Sequence, residues 1–312
     1  MLNSYFFNFT KVCVHDGKFH VDDVISISLL KLFGFEGEIV RTRDPKNWED
    51  PDTLAVDVSG VYDGIKFFDH HQDGSPMRDE YYSLEGAPET PFCAAGLLWK
   101  HIGRHMAQKY GVEGGGIDKF FEVIDEEIIM PTDYYDNGID IPESFGQSDD
   151  PLLYRMISSI NDDDPVSKDQ DRRFEIAVHH LTGLLSFYFE RLANQLKAES
   201  EIKIAFEEAV ARGSIYVRIR PNHQGWKSVL QSSDDLWEKT SNIRCVVGNR
   251  GDEFAIIMMP LTRTSWTDMR FRLPQSLKEE FPEFTFIHKN GFMGVLKNLD
   301  RIEEIIRKLE KM

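Results

Sequence analysis

Three short apolar runs near the start of the chain each stop at a residue able to carry a proton or a metal. Lys11 to Val14 ends at His15, Leu54 to Val58 ends near Asp57, and Ile65 to Phe68 delivers Asp69-His70-His71. With Glu38 to Thr42 they read as four strands separated by helical or loop segments. That pattern favours an α/β layer with a largely parallel sheet. Ligands of such sheets bind beyond the carboxyl ends of the strands. His15, Asp57 and His70 are therefore expected to converge.

The intervening segments carry their own signals. Gly17 allows a turn, and Asp22 or Asp23 can cap a helix running to Leu32 or Phe33, stopped by Gly34. The alternation Ile25-Ser26-Ile27-Ser28 is compatible with strand as well. Ala94 to Lys109 and Ile117 through Asp133 towards Asp136 are expected to be helical, the latter ended by Asn137-Gly138. An irregular acidic segment is expected from Pro142 to Pro165. Arg172 to Ala211 reads as a long helical region with a break near Thr182-Gly183. Beyond Gly213, Ser214 to Ile219, Ile243 to Val247 and Phe254 to Met258 read as strands, and Ile302 to Leu309 as a closing helix. A domain boundary within the long helical region divides residues 1–190, the parallel-sheet domain, from 191–312, a smaller α+β domain.

Charge narrows the function. The formal net charge of −17 over 312 residues repels polyanions and excludes a strongly basic nucleic-acid binder. It does not exclude a hydrolase whose bound divalent cations reverse the sign locally. Three cysteines without paired spacing, and a first ten residues without a basic side chain, point to a reduced intracellular protein. Cytoplasm is the expected location, with nucleus or mitochondrion as alternatives. No run approaches the roughly 18 apolar residues of a membrane span.

A second cluster, His15-Asp16-Gly17-Lys18-Phe19-His20-Val21-Asp22-Asp23, strengthens the Asp-His-His segment. Imidazole is the commonest metal ligand, and a neighbouring carboxylate can orient it. Two divalent cations a few ångströms apart need several carboxylates and imidazoles, one carboxylate bridging. His15, His20, Asp22, Asp57, His70 and the pair Asp133 and Asp136 could supply them. Each has a bland alternative: a satisfied histidine, a helix cap, a turn-starting aspartate, solvated residues at a helix end. Their order, and their common placement at strand ends, is what those alternatives fail to explain. His101 and His105, four apart on a helix, lack a third ligand, and Asp162-Asp163-Asp164 lacks calcium-loop spacing.

The series HDGKFHVDD, AVDVSG around Asp57, FFDHHQ and TDYYDNG resembles the DHH phosphoesterase superfamily, and more closely its MYG exonuclease branch, formerly called a metal-dependent protein hydrolase family. EIVRTRDP at Glu38 to Pro45, FRLP at Phe271 to Pro274 and FIHKNGFMG at Phe286 to Gly294 extend the resemblance over nearly the whole chain. It implies two metal ions, usually manganese, with zinc or magnesium as alternatives. By position, His15 and His20 would hold one ion, Asp22 and His70 the other, and Asp57 would bridge. Asp133 is favoured over Asp136 as the late ligand. Asp69 would orient His70, and His71 would face the scissile phosphate. Arg43, Arg272, His288 and Gly291 would contact substrate; Arg43 reads equally as a partner for Asp44. The sequence departs from the branch at Asp23, where glutamate is usual, at PFCAAG, and at Met293-Gly294-Val295.

These readings converge on a two-metal phosphodiesterase, a 3'-5' exonuclease on RNA or short oligonucleotides that uses a metal-bridging hydroxide. A hydrolase of a small phosphate compound, such as pyrophosphate or a dinucleotide, is the alternative. A metal-stabilised interaction protein without turnover is a third reading.

Overall fold

The computed structural model describes residues 9–78, 89–140, 152–219, 225–265 and 267–311. The N-terminal segment through Asn8, and the acidic stretch from Pro142 as far as residue 151, lie outside them. The chain divides into two compact units, Met1–Ala193 and Asn194–Met312. Among the described residues, no helix is long and apolar enough to cross a membrane.

The first unit is built on strands β1 (Lys11–Val14), β2 (Glu38–Arg41), β3 (Thr53–Val56) and β4 (Phe67–Phe68), in the order β2-β1-β3-β4 and parallel throughout. The chain leaves β1 for β2 on one side and then crosses back to β3 on the other. That reversal opens a crevice between the carboxyl ends of β1 and β3, where open α/β sheets bind ligands.

Helix α1 (Val21–Phe33) follows β1 and is buried from Val21 to Leu30. Burial on all sides explains why its sequence lacks a polar stripe and can be read as strand. Helix α2 (Ala94–Lys109) packs against it. Helix α3 (Gly116–Ile124), a π-helical turn (Asp125–Ile129) and helix α4 (Met130–Asp136) follow as one helical stretch. Pro131 has no N–H to give and sits where the wide turn rejoins regular helix, a common way of absorbing such a residue.

Helix α5 (Leu152–Ser158) occupies part of the segment expected to be irregular. Burial of Tyr154 and Ile157 holds it, and the Tyr154 hydroxyl lies 3.1 Å from the Thr132 hydroxyl. Helix α6 (Gln170–Ala211) runs unbroken through Gly183. A lone helical glycine costs about 1 kcal/mol against alanine. Buried Val178, Leu181, Leu185 and Phe189 on either side offset it.

The second unit carries strands β5 (Tyr216–Ile219), β6 (Cys245–Arg250), β7 (Glu253–Met258), β8 (Phe284–Ile287) and β9 (Met293–Leu296), ordered β5-β6-β7-β9-β8. Only the β5–β6 pairing is parallel. Its further helices are α7 (Trp226–Gln231), α8 (Asp234–Lys239), α9 (Leu277–Glu280) and α10 (Ile302–Leu309). Successive residues of β6 face opposite sides. Cys245 and Val247 join α10 residues Ile302, Ile305 and Ile306, while Val246 joins Ile202 and Phe206 of α6. Strands β8 and β9 and helices α7, α8 and α9 were not anticipated; the three helices span only four to six residues each.

Candidate metal centre

Strand β1 ends on His15, which is buried. Its Nδ1 lies 2.9 Å from the Asp16 carbonyl, and donation there leaves Nε2 facing inward. Asp57, one residue past β3, has φ +55°, the only positive φ outside glycine among the described residues. Aspartate tolerates this left-handed conformation better than most side chains. The turn points its carboxylate across the crevice. Oδ2 lies 3.5 Å from His15 Nε2, and Oδ1 lies 3.6 Å from both His70 Nε2 and His71 Nδ1. Each Asp57 oxygen thus faces a different imidazole, the disposition a bridging carboxylate requires.

His15, His20 and Asp23 bring ligand atoms within 4.8 Å of one another, and so do Asp22, His70 and Asp136. His20 precedes α1, and the Asp23 carboxylate accepts its backbone N–H at 2.8 Å. Asp22, fully buried, accepts from Ala94 N at 3.2 Å and Ala95 N at 2.7 Å at the start of α2. That helix end is a favourable place for an anion.

Of the two late aspartates, the one beside His70 is not the one the sequence favoured. Asp136 lies 3.0 Å from His70 Nε2. Asp133, fully buried, instead accepts from Cys93 N at 2.8 Å and pairs with Arg78, which also pairs with Asp125. The reason is helix phase. Residues eight apart on a regular helix are rotated by about 80°, and a π turn that absorbs one residue reduces this to about 20°. Asp125 and Asp133 therefore share a face and a guanidinium, and Asp136 turns towards His70. A Cβ at Gly96 would lie 2.4 Å from Asp133 Oδ1, so only glycine lets the carboxylate approach α2 this closely.

A second correction concerns Asp69. Its Oδ1 accepts from His71 N at 3.0 Å and from His71 Nδ1 at 2.7 Å, and its Oδ2 from Gly60 N at 2.7 Å. It orients His71 rather than His70. Burial works against this carboxylate's charge, but the hydrogen bonds from His71 and Gly60 hold its pKa at about 2. The hydrogen bond to Asp69 in turn raises His71.

The centre is electrostatically unfinished. His15 Nε2, Asp23 Oδ1, Asp57 Oδ1 and His70 Nε2 are buried without a hydrogen-bond partner. His15 Nε2 touches Asp23 at 2.8 Å and His70 Nε2 touches Asp136, but neither contact has the alignment of a hydrogen bond. An orphaned buried polar atom costs about 1–3 kcal/mol, which for the two imidazoles is offset by the charge of the Asp23 and Asp136 carboxylates beside them. Burial, reinforced by Asp57 and Asp136, pushes Asp22 well above the carboxylate range. Burial likewise raises Asp57 despite His70 and His15. Burial disfavours charged histidine, yet Asp23 and Asp57 take His15 up to about 9, and Asp136 and Asp57 take His70 up to about 11. Protons stand where cations fit: the donor set of imidazole nitrogens and carboxylate oxygens suits divalent ions.

A cavity of about 370 Å³ opens over these groups, lined by His15, His20, Arg43, Asp57, Asp69, His71 and Asp136 among others. Arg43 is exposed and pairs with Asp16 at 3.2 Å, not with Asp44, which instead caps the 3-10 turn Pro45–Asn47 through Lys46 N. His101, outside the centre, lies 2.8 Å from the Tyr62 hydroxyl. In the second unit, Arg272 donates to the carbonyls of Asn290 and Thr267, both at 2.8 Å. His288 Nδ1 accepts from Asn290 N, and Gly291, at φ +69°, lies so close to Leu273 that a Cβ would meet its carbonyl oxygen at 2.7 Å. Arg272 and Gly291 line one pocket there with Lys289 and Asn290.

Sequence reasoning did not single out two residues of this neighbourhood. Asp23 was read as a cap, although its position three after His20 on one helical turn could have signalled shared geometry. Arg78 had no local signal, since its partners lie 47 and 55 residues away.

A family model described as "Uncharacterised protein family (UPF0160)", the MYG1 exonuclease model, matches residues 11–309. The chain is 26% identical to the MYG1 protein YER156C of Saccharomyces cerevisiae, over 95% of this chain and 94% of that protein. It is 26% identical to the MYG1 exonuclease of Rattus norvegicus, over 91% of this chain and 80% of that protein. Among solved structures, RecJ from Thermus thermophilus in complex with Mg2+ aligns with 99% of this chain and 50% of its own at 11% identity. The TM-score there is 0.27, a likeness too slight to carry an inference.

Proposed function

The chain belongs to the MYG1 exonuclease family (UPF0160), and we propose that it is a two-metal-dependent phosphodiesterase, a 3'-5' exonuclease acting on RNA or short oligonucleotides. One observation carries this reading: four buried donor atoms around Asp57, on His15, Asp23, Asp57 and His70, have no hydrogen-bond partner. A packed core has no use for them, whereas divalent cations satisfy all four. His15 and His20 would hold one ion, Asp22, His70 and Asp136 the other, and Asp57 would give an oxygen to each. Bound there, manganese or a similar ion would neutralise phosphoryl oxygens and acidify a water molecule.

The protein's own groups complete the chemistry. Asp69 holds His71 through Nδ1, which leaves Nε2 to protonate the leaving oxygen. Arg43 at the cavity rim would meet a substrate phosphate. Residues 1–190 would thus carry the reaction, and residues 191–312 would contact substrate through Arg272, His288 and Gly291.

The expected result is that His70→Ala abolishes manganese-dependent cleavage of a labelled single-stranded RNA oligonucleotide. Unchanged cleavage by that variant overturns the reading. The cavity volume of about 370 Å³ lies at the small end for ligand sites, which favours short substrates. Competition among pyrophosphate, dinucleotides and longer RNA, read as kcat/KM, separates a small-phosphate hydrolase from an exonuclease.

A further inference from the structure

We infer that Asp23 is a ligand of the first ion, so that the two metal positions are chemically unequal. The inference rests on the two-metal reading above. Asp23 sits at the third position of α1, where one carboxylate oxygen closes the helix start by accepting His20 N at 2.8 Å. A cap needs no more than that oxygen. The other, Oδ1, is fully buried and has no partner.

Its neighbour is in the same condition. His15 Nε2, 2.8 Å from Asp23 Oδ2, also has no hydrogen bond, while His15 Nδ1 is committed to the Asp16 carbonyl. His20 completes a group whose ligand atoms lie within 4.8 Å of one another. A helix cap accounts for one oxygen of this cluster; a cation accounts for every unpartnered atom in it.

The consequence is an asymmetric pair of sites. The first draws on His15, His20, Asp23 and one oxygen of Asp57, an even mix of nitrogen and oxygen. The second draws on Asp22, His70, Asp136 and the other oxygen of Asp57, which is oxygen-rich. Imidazole-rich sites favour zinc-like ions and carboxylate-rich sites favour manganese or magnesium. With Asp23 included, four carboxylates balance two divalent charges before any substrate arrives.

Asp23→Asn separates the two roles, because the asparagine carbonyl can still accept His20 N but carries no charge for a metal. Titration calorimetry with Mn2+ and Zn2+ on the wild type, Asp23→Asn and Asp136→Asn reads affinity without turnover. The expected outcome is two ions on the wild type, with one site weakened at least about tenfold in Asp23→Asn and the other in Asp136→Asn. Two wild-type affinities in Asp23→Asn overturn the inference while leaving the two-metal reading intact; a wild type that binds no ion removes both. An anomalous-difference map of the zinc-loaded wild type decides the matter without a variant. An Asp23 oxygen about 2.0–2.2 Å from an ion supports ligation, and a separation beyond about 3 Å refutes it.

Discussion

Asp136 lies 3.0 Å from His70 Nε2, while Asp133, one turn earlier on the same helix, is held by Arg78 and Cys93 N and does not join the metal cluster. Two aspartates three residues apart thereby acquire opposite duties. One faces the candidate metal centre and the other anchors the helix that presents it.

The pair should separate cleanly on mutation. Asp136→Asn is expected to lower kcat by at least about 100-fold through loss of metal. Asp133→Asn is expected to cost about 1.5–3 kcal/mol, the value of a hydrogen bond to a charged group, because Asp125 still pairs with Arg78. Calorimetric unfolding in EDTA beside single-turnover cleavage would distinguish them. Equal activity losses at equal Tm would contradict the division.

Gly96→Ala tests the same anchor from the other side. Its Cβ would meet Asp133 Oδ1 at 2.4 Å and Phe92 Cδ1 at 2.8 Å. Overpacking of this kind costs about 1–3 kcal/mol, to be read as a lowered midpoint in urea.

His71→Ala should leave both metals in place, by elemental analysis, and reduce kcat about 10²–10⁴-fold, the usual range for a lost general acid. Asp69→Asn should fall short of that, at about 10–100-fold, because the imidazole remains but loses its orienting carboxylate. Restoration of the His71→Ala rate by a substrate with a good leaving group would identify the missing proton.

Asp57→Asn should keep the fold, since asparagine also tolerates the left-handed backbone there. It should weaken both ions together, because each carboxylate oxygen faces a different imidazole. Loss of a single ion in a metal titration would argue against bridging.

The metal-free protein should respond to alkali. His15 in the fold titrates at about 9, above its ordinary 6.5. Its stabilising contribution is therefore full below pH 6.5 and disappears as the pH rises through about 9. Metal must displace that proton and the one on His70, so Mn2+ affinity should rise over the same window. The Tm in EDTA should fall, and the Tm gain on adding Mn2+ should grow, between pH 6.5 and 9. A pH-independent Mn2+ affinity would contradict the proton exchange.

Much of this was readable locally. Apolar runs of four or five residues, each closed by a polar residue, are enough to define strands β1 and β3 and to place His15 and Asp57 at their carboxyl ends. Parallel pairing then brings those ends together wherever the chain goes next. His70 follows for the same reason, two residues beyond β4. Helix α1 was harder, because burial on every side removes the polar stripe by which helices are recognised.

What the amino-acid sequence determined by itself is therefore the set of candidate ligands and the sheet that gathers them, since both follow from short-range pattern. Tertiary structure alone distinguished neighbours: it sets Asp136 and not Asp133 beside His70, pairs Asp69 with His71 and not His70, and leaves one oxygen of the capping Asp23 unpartnered. Those choices turn on the phase of a helix after a π turn, on a guanidinium 55 residues away and on which buried atoms remain unpartnered. None of these is a property of the residues on either side, because hydrogen-bond and ion-pair partners are set by distance in space, and only the fold sets that distance.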